Sequence, residues 1–313
     1  MSDAETDALR QGQSFRDITL SGHGSSLTIN QIIQVAPSVV QGRPFVASSP
    51  YLGLQRFEEQ HTHLFFGRDV LVAELLDAVA ARPFTLVLGA SGSGKSSLVR
   101  AGLLPLLRRR IPKLRVFSFV PDRDPFDSLR ATLIHGGCRH QDADQALSRE
   151  PETLLQLCRN PRLRRPDEPW LLFIDQFEEH FTRSDPATSA AFLNGLVRLF
   201  DEGVPEVRLV AAMRADFLDH LDPFPKLLRR IKHSWQPVTS PDLDDMRQCI
   251  EQPAARHGVL FEDGLVETIL RDLVGQPGGL PLLQYTLDRL WQEAAPGESS
   301  RRLRKSSYDS LGG

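Results

Sequence analysis

The chain has 313 residues, with 37 Lys plus Arg against 40 Asp plus Glu and 41% hydrophobic residues. That length predicts about two domains with ample material for a buried core. A formal net charge of −3 argues against a wholly basic nucleic-acid coat or an acidic disordered tail.

No apolar run approaches the ~20 residues that span a bilayer. Met1-Ser2-Asp3-Ala4-Glu5 lacks the basic and apolar stretches of a signal peptide, so a cytoplasmic protein is expected. Cys138, Cys158 and Cys249 are odd in number and far apart, without metal-ligand spacing. They fit small buried hydrophobes in a reducing compartment. Five of the 37 basic residues are lysines, and one of them, Lys95, falls in a special place.

Residues 1–46 form a polar arm. Ile18-Thr19-Leu20 and Leu27-Thr28-Ile29 flank a Gly/Ser turn, which reads either as a β-hairpin or as part of a disordered arm. Gln34 to Pro50, with Pro37, Gly42, Pro44 and Pro50, reads as a linker. Residues 47–240 then show α/β alternation. Leu71, Leu75, Leu76 and Val79 make a helical stripe, and Phe84–Leu88 is a strand apolar on both faces. A second helix runs through Leu103 and Leu107. Further strands are expected at Leu114–Val120, Trp170–Ile174, Val207–Met213 and Trp235–Val238. This alternation predicts a parallel sheet of about five strands flanked by helices. Residues 241–298 carry only helical stripes, at Met246–Ile250, Gly264–Val274 and Leu282–Trp291, and read as a small all-helical domain. Residues 299–313 read as the entrance to a further domain.

Between the first strand and its helix lies Gly89-Ala90-Ser91-Gly92-Ser93-Gly94-Lys95-Ser96, a full match to G-x-x-x-x-G-K-[ST]. Glycines let backbone amides turn toward a phosphate, and the following helix adds its positive end. Lys95 suits the β- and γ-phosphates and Ser96 suits Mg2+, with Ser97 completing the nucleotide-binding set. Leu171-Leu172-Phe173-Ile174-Asp175 is an apolar strand ending in a carboxylate, the form that holds Mg2+ beside such a loop. Glu178 and Glu179 follow closely. They are either water-orienting carboxylates or an ordinary acidic helix start. Arg214, at the end of the 207–213 strand, is either a γ-phosphate sensor or the ion-pair partner of Asp216.

Together these residues resemble the STAND signal-transduction NTPases of the AAA+ group, and in particular the bacterial novel STAND subgroup. The likeness runs from about Pro50 to the C-terminus. It is carried by PYLGLQRF (50–57), FFGRD (65–69), GASGSGKSSLVRAGLLP (89–105), FIDQFEE (173–179), MRADF (213–217), IEQPA (250–254) and GQPGGLPLLQYTL (275–287). The resemblance implies that Phe66, Gly67 and Arg68 lie against adenine. It implies that Arg214 takes the sensor-one position and that Pro281, in Gly279-Leu280-Pro281, packs on the nucleotide. The same tripeptide is also an ordinary helix start with Pro just inside it. The family likeness further implies an ATP/ADP switch with slow turnover. In it an ADP-bound closed monomer takes up ATP on a trigger, opens, forms a homo-oligomer and activates an effector. Family members usually continue into a winged helix and sensor repeats, and residues 299–313 are where that winged helix is expected to begin.

Several basic runs need a separate reading. They are Arg108-Arg109-Arg110 with Lys113 and Arg115, Arg162-Leu163-Arg164-Arg165, Arg229-Arg230 with Lys232, and Arg301-Arg302 with Arg304-Lys305. A nucleic-acid-handling AAA+ ATPase, such as a replication initiator or transposition helper, could place them on phosphates. The balanced net charge favours solvated helix ends and loops. A non-hydrolysing nucleotide-binding scaffold is the third class, opposed by the presence of Asp175 and Glu178.

Overall fold

All five expected strands form, and the apolar runs at 84–88, 170–174 and 207–213 are the ones largely buried. In the computed structural model, which describes residues 35–146, 148–273, 279–297 and 299–312, the strands are β1 (Phe84–Gly89), β2 (Arg115–Phe119), β3 (Trp170–Ile174), β4 (Val207–Arg214) and β5 (Trp235–Pro237). A second, two-stranded sheet is made by β6 (Leu260–Phe261) and β7 (Arg302–Leu303). The first helices are α1 (Pro37–Gln41), α2 (Asp69–Ala81) and α3 (Lys95–Ser97), which runs through a π-helical stretch, Leu98–Leu103, into α4 (Leu104–Arg110). Next come α5 (Pro125–His135), α6 (His140–Ala146), α7 (Thr153–Arg159), α8 (Glu179–Arg183), α9 (Pro186–Glu202) and α10 (Pro225–Ile231). The chain then forms α11 (Leu243–Arg256), α12 (Leu265–Leu273), α13 (Gly279–Ala294) and α14 (Lys305–Ser310).

The described residues divide into two units. The first holds residues 73–90 and 106–238 and contains the five-stranded sheet, in the order β2-β3-β4-β1-β5 with every pair parallel. β3 is buried at all five positions, as a central strand covered on both faces requires. Parallel pairing turns all carboxyl ends to one edge, which therefore collects Gly89, Asp175 and Arg214. In register, Gly89 lies opposite Arg214 and Ile174 opposite Ala211. β4, sequence-distant from β1, thus separates β1 from β3.

Helices cover the sheet by burying aromatic rings. α9 begins on Asp185, whose carboxylate accepts from the backbone N–H groups of Ala187 and Thr188 at 3.0 Å, with Pro186 just inside the helix. Such a cap is worth ~1 kcal/mol. The helix buries Phe192 and Phe200, which meet Phe126 and Phe84 at centroid separations of 5.4 and 4.8 Å. α5 is capped in the same way by Asp124, at 2.9 Å from the N–H of Phe126. Cys138 and Cys158 are free and buried in this core, and burial pushes the Cys158 thiol up to about 12.

The second unit holds the described residues up to 72, residues 91–105 and residues from 239 onward. Its core packs α11, α12 and α13 around Ile250, Ile269 and Leu287. Asp242 caps α11 by accepting from the N–H of Asp245 at 2.8 Å. Cys249 is buried here, and burial raises its thiol to about 12.

Two expectations need correction. The stretch read as a linker forms α1, and its Val40 is fully buried against Ala255 and Leu260. Ala47 and Ser48 are tied as well, their carbonyls accepting from Trp291 Nε1 at 3.0 Å and pairing with His257 Nδ1 at 2.9 Å. Residues 299–312 pack within the second unit. β7 pairs in parallel with β6, Leu303 and Tyr308 enter the same core, and the Tyr308 hydroxyl donates to Asp272 at 3.0 Å. That β6–β7 pair also means the unit is not purely helical. The hairpin expected between Ile18 and Ile29 lies outside the described residues.

Candidate functional site

The loop from Gly89 to Ser97 has the shape its glycines permit. Gly92 and Gly94 take left-handed φ values of 73° and 87°, where L side chains are strained. Gly94 leads directly into the helix that starts at Lys95, and its carbonyl accepts from the N–H of Leu98 at 2.8 Å. The first-turn amides of that helix give the loop a positive end. Among the described residues the Ser93 hydroxyl is buried without a hydrogen-bond partner. This polar, glycine-hinged cradle fits a phosphate group. Lys95 and Ser96 follow immediately and are the residues that would meet a nucleotide phosphate and its Mg2+.

Behind the loop, within the second unit, sit the three residues expected against adenine. Phe66 is buried, and the Arg256 guanidinium lies 5.1 Å from its ring centroid. Its carbonyl accepts from the Cys249 thiol at 3.1 Å. Gly67 has φ +71°, and a Cβ there would lie 2.2 Å from the Asp245 carbonyl oxygen. Only glycine fits so close an approach. Arg68 is buried, and its guanidinium donates to the carbonyls of Ser93 at 3.1 Å and Thr239 at 2.9 Å. Burial lowers the Arg68 pKa from its usual value, and neighbouring Cys249 and Asp245 oppose that. Arg68 therefore grips the phosphate loop from behind. Sequence reasoning missed this, because no spacing rule links positions 68, 93 and 239. Leu280 approaches the same loop, its side chain 3.6 Å from where a Cβ on Gly94 would stand. Pro281 is exposed in the first turn of α13, where its missing N–H costs no helix bond.

In the first unit, Gly89, Asp175 and Arg214 end neighbouring strands, and Ala90 continues into the loop. Asp175 is buried, and its Oδ1 accepts from the N–H of Gln176 at 3.1 Å. Gln176 takes a left-handed φ of 52°, turning the chain sharply after the carboxylate. Phe177 then returns to the sheet, donating to the Ala212 carbonyl at 2.8 Å. This turn delivers Glu178, which is buried and accepts from the backbone N–H of Arg214 at 3.3 Å. Glu179 points elsewhere, into an ion pair with Arg183 at 3.4 Å. The Arg214 guanidinium forks onto both carboxylate oxygens of Asp216, with Nε at 3.0 Å from Oδ1, and stacks 5.3 Å from the Phe217 centroid. Its hydrogen bond to Asp216 raises its pKa. The ion pair weighed as the alternative for Arg214 is thus the arrangement found.

His180 is a further group that sequence reasoning passed over. It is buried beside Glu179, with Nδ1 on the Phe177 carbonyl and its ring against Phe177 and Phe181. Burial pulls its pKa down to about 4.

A five-stranded parallel sheet in this order, with a glycine-rich loop leading from β1 into a helix, defines a P-loop NTPase. Residues 50–313 match Novel STAND NTPase 1, and the chain belongs to that family. The fold is similar to ORC1 of Aeropyrum pernix, solved in complex with DNA: TM-score 0.58 and 16% identity, covering 80% of this chain and 66% of that one. It is similar also to the Walker-type ATPase PABY2304 of Pyrococcus abyssi, with TM-score 0.53 and 17% identity over 76% of this chain and 69% of that one. A third relative is domain III of the Thermotoga maritima replication initiation protein DnaA, with TM-score 0.53 and 13% identity over 80% of this chain and 94% of that one. The chain spans about two thirds of the length of the first two, and at these identities the likeness is one of fold. No curated protein sequence matches the chain. No helix among the described residues is long and apolar enough to cross a membrane.

Proposed function

We propose that this NTPase is a bacterial, cytoplasmic signalling switch that binds Mg·ATP and Mg·ADP, hydrolyses ATP slowly, and forms homo-oligomers in the ATP state to engage an effector. One observation carries the reading. Arg68 joins the Ser93 carbonyl of the phosphate loop to the Thr239 carbonyl, where the helical segment begins, while Leu280 of α13 abuts Gly94. A phosphate that reshapes the loop would be felt at once by the helices, which suits timing more than throughput. In this reading Lys95 and Ser96 hold the phosphates and the metal, Asp175 holds the metal, Glu178 orients water, and Arg214 leaves Asp216 for the γ-phosphate. Bound Mg2+ supplies charge neutralisation on the phosphates. The chain supplies the amide cradle, the Lys95 cation and the buried carboxylates.

Lys95→Ala tests the nucleotide assignment: it should abolish ADP and ATP binding while the protein stays folded. Retained affinity would overturn it. Light scattering with ATP and with ADP tests the switch, and equal mass in both states counts against it. A nucleic-acid-handling ATPase is the second reading, favoured by the fold shared with ORC1, which was solved in complex with DNA. DNA-stimulated, steeply salt-dependent turnover at low salt would support it, and an unresponsive rate would remove it.

A further inference from the structure

Two basic runs of the sequence play no part in nucleotide chemistry, yet the fold brings them together. β2 begins at Arg115, and residues 161–168 lead into β3 beside it. Between these segments and the start of α6 lies a cavity of about 760 Å3, lined by Arg115, Arg139, Arg162 and Arg165 with Asp142 and Glu168. It lies at the amino ends of the strands, opposite the edge that carries Gly89, Asp175 and Arg214. Its volume falls within the range of small-molecule sites.

The four guanidiniums outnumber the two carboxylates, and one of them, Arg115, pairs with Glu168 at 3.7 Å, both side chains about a quarter exposed. Arg162 stands 4.0 Å from Asp142 and Arg165 stands 3.9 Å from Glu168, both side chains more than two-thirds exposed. Ion pairs so long and so wet contribute little. The Arg139 side chain is exposed at the start of α6, where its backbone carbonyl accepts from the N–H of Ala143 at 3.0 Å. Arg115, by contrast, is held in place. It donates to the carbonyls of Gly136 at 2.6 Å and Leu163 at 3.4 Å, and lies 5.8 Å from the Trp170 ring centroid. One fixed and three adjustable cations around a concavity focus positive potential where solvated loop ends would disperse it.

The carboxylates narrow the ligand. Asp142 and Glu168 would repel successive phosphates of a nucleic-acid backbone, but they accept hydrogen bonds from hydroxyl groups. The concavity is also short, not a track. We propose that this cavity is a second ligand site for a phosphorylated sugar, with Arg139, Arg162 and Arg165 receiving the phosphate and Asp142 and Glu168 receiving hydroxyls.

The test is calorimetric titration of ribose 5-phosphate into the full chain carrying Lys95→Ala, with ribose, inorganic phosphate and a short DNA duplex as comparisons. Ribose 5-phosphate should bind once per chain, inorganic phosphate more weakly and ribose not at all. Adding Arg139→Glu and Arg162→Glu should weaken binding about tenfold or more through lost charge-assisted hydrogen bonds. Both side chains are exposed, and the same pair of changes with Lys95 intact should leave ADP affinity unaltered, which establishes folding. No binding in the millimolar range, equal affinity in the double variant, or displacement by the duplex overturns the proposal. Persistent ADP binding by Lys95→Ala would instead count against the P-loop assignment alone.

Discussion

Replacing Arg68 with alanine should loosen the phosphate loop without altering any residue in it. The buried guanidinium donates to the Ser93 and Thr239 carbonyls at 3.1 and 2.9 Å. Hydrogen bonds from a charged donor are worth about 1.5–3 kcal/mol each, so the pair contributes about 3–6 kcal/mol gross. Against this stands the cost of holding a guanidinium out of water, which the lowered pKa records. A net destabilisation of about 2–4 kcal/mol is expected, read as a lower urea midpoint. If about 1.4 kcal/mol of it falls on ordering the loop when phosphate binds, the Kd for ADP rises about tenfold. Arg68→Lys, keeping charge but losing the fork, should fall between. A fluorescent-ADP titration measures the effect, and repeating it with GDP separates two roles. A clamp on loop carbonyls weakens ADP and GDP equally, whereas a contact with adenine changes their ratio. An Arg68→Ala chain with unchanged midpoint and affinities would refute the clamp.

Gly67→Ala places a Cβ at 2.2 Å from the Asp245 carbonyl in a left-handed backbone. Strain and overpacking together should cost about 2–5 kcal/mol, and an unchanged thermal midpoint would show that the contact relaxes freely. Glu178→Gln keeps an acceptor for the Arg214 N–H, so stability should hold, while single-turnover phosphate release slows by about a hundredfold. Glu179→Gln should change the rate little, and the reverse pattern would move water orientation to Glu179. His180 has its pKa lowered from 6.5 to about 4. The unfolded chain therefore binds the extra proton first as pH falls. The stability due to neutral His180 is complete above about pH 6.5 and is lost on descending to about pH 4, some 3 kcal/mol in all. Urea midpoints near pH 7 and near pH 4.5 should converge in His180→Gln relative to the parent, and parallel slopes would contradict this.

The local chemistry of the site was legible because it is local. The phosphate loop needs eight adjacent positions, and β3 with Asp175 needs five apolar residues followed by a carboxylate. The strand spans were readable within a residue or two for the same reason: Phe84–Gly89 and Trp170–Ile174 are runs that only a doubly covered strand can bury. What joins distant positions was not legible. Nothing in the apolar pattern of β4 says that it lies between β1 and β3. The target of Arg68 depends on carbonyls 25 and 171 residues away. Nor does a sequence reveal that the Arg256 guanidinium lies 5.1 Å from the Phe66 ring centroid. Arg229 and Arg230 looked as basic as Arg162 and Arg165, and only the fold gathers the latter pair with Arg115 around one cavity.

Two deeply buried thiols give the protein its own clock. Burial holds Cys158 and Cys249 at a pKa of about 12, so almost no thiolate is present at neutral pH. Alkylation then waits for the surrounding structure to open, and its rate reports the free energy of that opening. Cys158 lies under the sheet and Cys249 in the helical unit. Time-resolved labelling read by peptide mass would therefore follow the breathing of each unit separately in one unmodified chain, and would show which of them nucleotide quiets.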